Sequence, residues 1–171
     1  MFWLKLLKRI ITILQSEISP SQVAWGFALG SIMGLTPFSA LHNYFVFVLI
    51  LMLNVNMSSA TLAVIVFSFI GMLMDPLAHK IGYYLLVTNQ SLNSTWVSLY
   101  NMPVVPFTRF NNTVVLGSLV ISLILFLPVY FAAKKFIVYY RAHFKDKVAK
   151  WKIMKLFKVS NIAGTSYQKF N

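Results

Sequence analysis

Positions 18–74 read ISPSQVAWGFALGSIMGLTPFSALHNYFVFVLILMLNVNMSSATLAVIVFSFIGMLM, 57 consecutive residues without Asp, Glu, Lys or Arg, among which His42 and Tyr44 are the only ionisable side chains. As a single helix this tract would be about 85 Å long, against a bilayer hydrocarbon core of about 30 Å. It must therefore fold back on itself. Two joints are readable: Thr36-Pro37 ends a helical run, because proline disfavours helix in the residue before it, and Asn54-Val55-Asn56 is a polar turn. They leave Pro20 to Gly34, Phe38 to Leu53 and Met57 to Met74, segments of 15, 16 and 18 residues. The first two fall short of the roughly 20 residues that a perpendicular crossing takes.

The rest of the chain agrees. Of its 171 residues 58% are hydrophobic and 11% charged, with a mean hydropathy of +0.73, whereas soluble domains are about half apolar and a quarter charged. Fifteen Lys and Arg against three acids give a formal charge of +12. Such a chain is a membrane protein. A soluble enzyme and a disordered tail are excluded, and the absence of cysteine excludes a disulfide-stapled secreted module. A second charge-free run, Phe110 to Ala133, holds the most regular spanning helix, Val114 to Phe131, with Pro128 near its end.

Both ends are basic and amphipathic. Lys5, Lys8 and Arg9 recur at helical spacing among Phe2, Trp3, Leu6, Leu7, Ile10, Ile13 and Leu14, so Met1 to Ser16 reads as a helix lying in the interface; no small-residue cleavage site follows it. Ten of the fifteen basic residues lie from Lys134 onward, and Val148, Trp151, Met154 and Phe157 fall three apart in a second basic helix, Phe144 to Val159. Lysine-rich flanks place both termini in the cytoplasm, which requires an even number of crossings. Either four helices cross, or the two short segments form a re-entrant hairpin turning at Thr36-Pro37 and two helices cross; length favours the hairpin. The expected architecture is thus an all-α membrane bundle with two to four crossings: an interfacial helix over 1–18, a polytopic domain over 19–141 with an outer loop near 75–112, and a basic cytoplasmic tail over 142–171. A nucleic-acid partner is not expected, because the charges flank membrane spans.

Several groups of residues carry candidate chemistry. Gly26, Gly30 and Gly34 form a GxxxGxxxG row, the stripe along which helices approach closely in lipid. It reads as packing within the chain or between copies, or alternatively as the wall of a midplane site. Ser19-Pro20 is a helix start, with a hydroxyl N-cap followed by proline at the first helical position, and Asp75-Pro76 repeats the device. His42 and Asn43 are costly in hydrocarbon and so must face protein, water or a partner. Asp75, His79 and Tyr83 recur at four-residue steps, fit for a proton relay or, with Lys80 and Arg109, for a polar cup around an anionic headgroup. Phosphate-loop, thiol, HExxH and GxSxG motifs are absent, and the three acids lie far apart, so no enzyme activity, metal or cofactor is expected.

The string Ser19 to Pro37, SPSQVAWGFALGSIMGLTP, with Leu41-His42-Asn43, Asp75-Pro76-Leu77, Gly82-Tyr83, Asn111-Asn112-Thr113 and Leu116-Gly117, resembles a bacterial polytopic membrane family catalogued as a domain of unknown function. The resemblance covers roughly Ser19 to Arg141 and is nearest to a subgroup of short stand-alone proteins. Other members are fused to glycosyltransferases that build lipid-linked glycans, so the resemblance implies an envelope lipid or glycan context without supplying an activity or a ligand. The expectation is an inner-membrane protein that binds or translocates an anionic lipid or lipid-linked intermediate through His42, Asn43, Lys80 and Arg109. The alternative is a non-catalytic subunit that anchors an envelope complex through Gly26 to Gly34. Expected partners are membrane lipids, another envelope protein or a second copy of the chain.

Overall fold

The computed structural model describes residues 10–14, 16 and 18–144. They divide into two compact units, one over Ile18–Lys134 and one combining the N-terminal segment with Lys135 onward. In the larger unit α1 (Pro20–Leu35) and α2 (Leu41–Met52) form a helical hairpin, followed by the long α3 (Met57–Tyr83). A π turn (Tyr84–Thr88), a 3-10 turn (Gln90–Leu92), α4 (Asn93–Tyr100) and a second 3-10 turn (Val105–Thr108) lead to the last helix, α5 (Thr113–His143). No strand occurs among the described residues.

The helix starts follow side-chain chemistry. The Ser19 hydroxyl accepts from the Gln22 N–H at 3.2 Å while the Gln22 side chain accepts from the Ser19 N–H at 3.3 Å, a reciprocal cap with Pro20 at the first helical position. Asn56 accepts from the Ser59 N–H at 2.8 Å to begin α3, and Asn112 accepts from the Val114 and Val115 N–H groups at 2.9 and 3.2 Å to begin α5. The helix start expected at Asp75-Pro76 is not found. Pro76 lies inside α3, which runs unbroken to Tyr83, so the irregular connection to α5 begins only after Thr88. An internal proline forfeits one helical hydrogen bond. Packing on both sides outweighs that loss: Gly71 sits against the backbone of Gly34 and Leu35, and Ala78 and Gly82 sit against α5.

Glycine contacts set the arrangement of the three long elements. A Cβ added at Gly26 would strike the Asn56 carbonyl and the Ser59 hydroxyl, one at Gly30 would strike the Ala60 backbone, and one at Gly34 would lie 2.7 Å from the Phe67 Cβ. Both numbers of each pair rise together, so α1 and α3 run parallel. On the other flank Gly82 meets the Thr113 backbone and Gly117 meets the Ala78 backbone, so α3 and α5 run antiparallel. Trp25 of α1 reaches α5, with its ring 5.7 Å from Phe126 and 4.2 Å from Tyr130, and α2 packs Val46 and Ile50 onto Leu29, Ile32 and Met33.

The interior mixes small and polar side chains with aliphatic ones, and many large apolar side chains also face outward. Ser31, Ser59 and Ser122 are fully buried, whereas Phe45, Met72, Leu73 and Ile124 are 66 to 83% exposed. Two helical stretches, Met57–Thr88 and Thr113–His143, are long and apolar enough to cross a membrane. Only 28% and 39% of their most apolar windows are buried, which distinguishes them from the core helices of a soluble protein.

In the smaller unit residues 10–14 are helical, in keeping with the N-terminal amphipathic helix. Arg141 donates from Nε to the Leu14 carbonyl at 3.1 Å and from its guanidinium to the Ser16 hydroxyl at 3.4 Å, a cation closing a helix C-terminus. Ile13 and Ile137 are buried. The rest of the expected N-terminal helix, and the tail helix expected beyond Phe144, lie outside the described residues.

Gly30→Ala forces a methyl group into the α3 backbone and is expected to destabilise the fold by about 1–3 kcal/mol, whereas Leu73→Ala on the outward face changes it by no more than about 0.5 kcal/mol. Thermal unfolding in detergent, followed by circular dichroism, checks both.

Candidate functional site

The tip of the α1–α2 hairpin holds two buried polar side chains that bond to each other. Thr36 and Asn43 are 5% and 2% exposed. The Thr36 hydroxyl lies 2.9 Å from both the Ile32 carbonyl and the Asn43 Oδ1, with one proton to share between them, and the Asn43 Nδ2 donates to the Pro37 carbonyl at 3.0 Å. These bonds tie the end of α1 to the first turn of α2 across the proline. Asn43 thus positions the tip with both sides of its amide engaged. Next to it the His42 Nε2 is buried and makes no hydrogen bond.

Arg109 reaches this tip from the connection between α3 and α5. Its backbone is left-handed (φ 57°), the only such non-glycine residue among those described, and its Nη1 donates to the Ser39 hydroxyl at 3.2 Å. The turn Val105–Thr108 just before it touches α2. The connection itself is fixed by Trp96, whose Nε1 donates to the Leu85 carbonyl at 2.8 Å while its ring lies 5.8 Å from Phe110. Beside the tip opens a groove of about 250 Å³ lined by Met33, Phe38, Asn43, Tyr44 and Phe47, with an almost wholly apolar surface.

The remaining expected site residues lie on α3. The His79 Nδ1 is 2.8 Å from the Thr113 hydroxyl, bridging α3 to the first residue of α5, and its ring is 6.0 Å from that of Tyr83. No hydrogen bond or ion pair engages the side chains of Asp75 or Lys80, so nothing links the Asp75 carboxylate to His79 as a relay would require. Among the described residues no group of His, Asp or Glu is placed to hold a metal.

The structure also decides what the glycine row does. Gly26, Gly30 and Gly34 are buried against Asn56, Ser59, Ala60, Val64 and Phe67 of the same chain. They are therefore neither the wall of a midplane site nor a free surface for a partner subunit. Sequence reasoning missed Ser39, Thr36 as a polar anchor, and Ser59, whose hydroxyl lies 2.8 Å from the Val23 carbonyl. A hydroxyl beside the proline joint and one just after the Asn turn were the available signals.

Residues 5–145 match a family described as an uncharacterized protein conserved in bacteria (DUF2062). A relative from Treponema pallidum (strain Nichols), itself described as an uncharacterized protein, is 27% identical over 135 residues, covering 79% of this chain and 83% of its own. No solved structure matches.

Asn43→Leu leaves the Pro37 carbonyl without its side-chain donor and the Thr36 hydroxyl with the Ile32 carbonyl alone, and is expected to cost about 1–3 kcal/mol. Thr36→Val removes only the hydroxyl and should cost less; unfolding of both variants in one detergent checks the order.

Proposed function

The chain belongs to this bacterial family, and on that premise we propose that it is a multi-pass protein of the inner membrane that binds or translocates an anionic lipid or a lipid-linked envelope intermediate. The observation that carries the reading is the surface of the two long apolar helices, on which Met72, Leu73 and Ile124 face outward, together with Phe45 of α2. In water that surface would drive aggregation; in acyl chains it is the natural boundary.

Topology follows from the same residues. Parallel packing of α1 on α3 and antiparallel packing of α5 bring Pro20, Met57 and the later turns of α5 to one end. Arg141 separately binds the segment around Leu14, which favours both termini on one side of the membrane. Lysine-rich flanks make that side cytoplasmic. On this reading α3 and α5 cross, while α1 and α2, about 24 and 18 Å long, form a re-entrant hairpin entering from the cytoplasmic face. Its tip lies level with Gly71, about 21 Å along α3, close enough to the outer boundary for Arg109 to reach Ser39. The outer side then carries Lys80 and Arg109 as cations for an anionic head.

Two measurements test this. The chain has no cysteine, so single cysteines report sidedness: Lys169→Cys should react with an impermeant maleimide only from the cytoplasmic face and Val104→Cys only from the outer face. Lipids retained by the purified full chain should be enriched in anionic species over the membrane from which it was extracted; retention that mirrors the bulk composition defeats the lipid assignment.

A further inference from the structure

Arg109 is a cation without an anion. Its guanidinium meets the neutral Ser39 hydroxyl, and the only carboxylate among the described residues, Asp75, forms no ion pair. Ser39 follows directly on Phe38, which lines the apolar groove. An exposed cation is therefore bonded to the residue next to Phe38, at the tip end of an apolar groove. The groove starts at the tip and continues along Met33 of α1 and Tyr44 and Phe47 of α2, back toward the ends of the helices that lie opposite the tip. At about 250 Å³ it is too small for a whole cofactor but suits part of a molecule.

We infer that the hairpin tip is a two-part site for one anionic phospholipid, whose phosphate pairs with Arg109 and Ser39 while one acyl chain lies in the groove between α1 and α2. This rests on the lipid-handling reading above and assigns it a place. Charge complementarity selects the head: guanidinium binds a phosphate through paired N–H donors, and the neighbouring hydroxyl supplies another. The direction of the groove selects the rest of the ligand, because a lipid whose head sits at the outer boundary sends its chain inward, as the groove runs from Phe38 toward Phe47. The same arrangement explains the left-handed backbone at Arg109, which ends the Val105–Thr108 turn and holds that turn against α2. Asn43 and Thr36 act as positioning residues, fixing the tip on which the head rests.

The test uses the full chain in detergent micelles, with lipid binding read by native mass spectrometry. Phosphatidylglycerol should bind at one molecule per chain, on the order of tenfold more tightly than phosphatidylcholine. Arg109→Asn, which keeps a residue tolerant of left-handed backbone, should lose that preference and leave phosphatidylcholine binding unchanged, and Arg109→Lys should keep part of it. Phe47→Trp and Tyr44→Trp, which fill the groove, should weaken both lipids severalfold, with helicity and monodispersity retained as the check on folding. Inorganic phosphate should not compete at millimolar concentration. Wild-type preference for phosphatidylglycerol that survives in every variant overturns this site while leaving lipid handling standing; no preference in the wild type overturns both. Competition by phosphate together with unaltered binding in the groove variants overturns the acyl half of the assignment.

Discussion

Contact between backbones at glycine is the constraint on which this fold depends. Lipid tails are as apolar as leucine, so burying leucine against leucine gains little inside a bilayer, and helices associate there through close van der Waals contact and interhelical hydrogen bonds. The chain meets this requirement with α3 as a central element carrying glycine contacts on two flanks. Gly26, Gly30 and Gly34 admit its first half, and Gly82 and Gly117 join its second half to α5. Because α3 is held at both ends, it passes through Pro76 without breaking.

Close packing along α3 fixes where the hairpin ends, and this gives the site its character. Once α1 lies parallel to α3 from Asn56 to Gly71, the turn at Thr36 to Ala40 is committed to one depth, and its polar groups must be satisfied there. Thr36, Asn43 and the Pro37 carbonyl do so among themselves. Arg109 then bonds to Ser39, so the outer connection is anchored to the hairpin. Arg141 uses the same chemistry differently, its guanidinium closing a helix end and leaving less of its charge for a ligand.

Much of this was legible in the residues. The charge-free tract is plain in the sequence, and the joints at Thr36-Pro37 and Asn54 to Asn56 and the Ser19-Pro20 start are local signals, each set by neighbours within about four positions, that appear where expected. The capping reading of Asp75-Pro76 failed because it weighed the same kind of local signal without its opponents. The forces that keep the helix going come from Gly34, Leu35 and Thr113, which are distant in sequence. His42 and Asn43 read as costly in lipid, but one-dimensional reasoning could not show that Asn43 spends its amide on Thr36 and Pro37 while the His42 Nε2 stays unbonded.

The sequence by itself determined that the chain is an all-α protein of apolar helices with basic ends, because helix length, charge exclusion and caps are written in consecutive residues. Only the tertiary structure decided which surface the glycine row meets, that α3 continues past Pro76, and that Arg109 stands over Ser39 while Arg141 bonds to the Leu14 carbonyl. Spacing can mark a stripe or a cation as ready for a partner. The partner's identity depends on contacts that span 30 to more than 120 positions, and no local pattern encodes which of several suitable backbones or hydroxyls arrives.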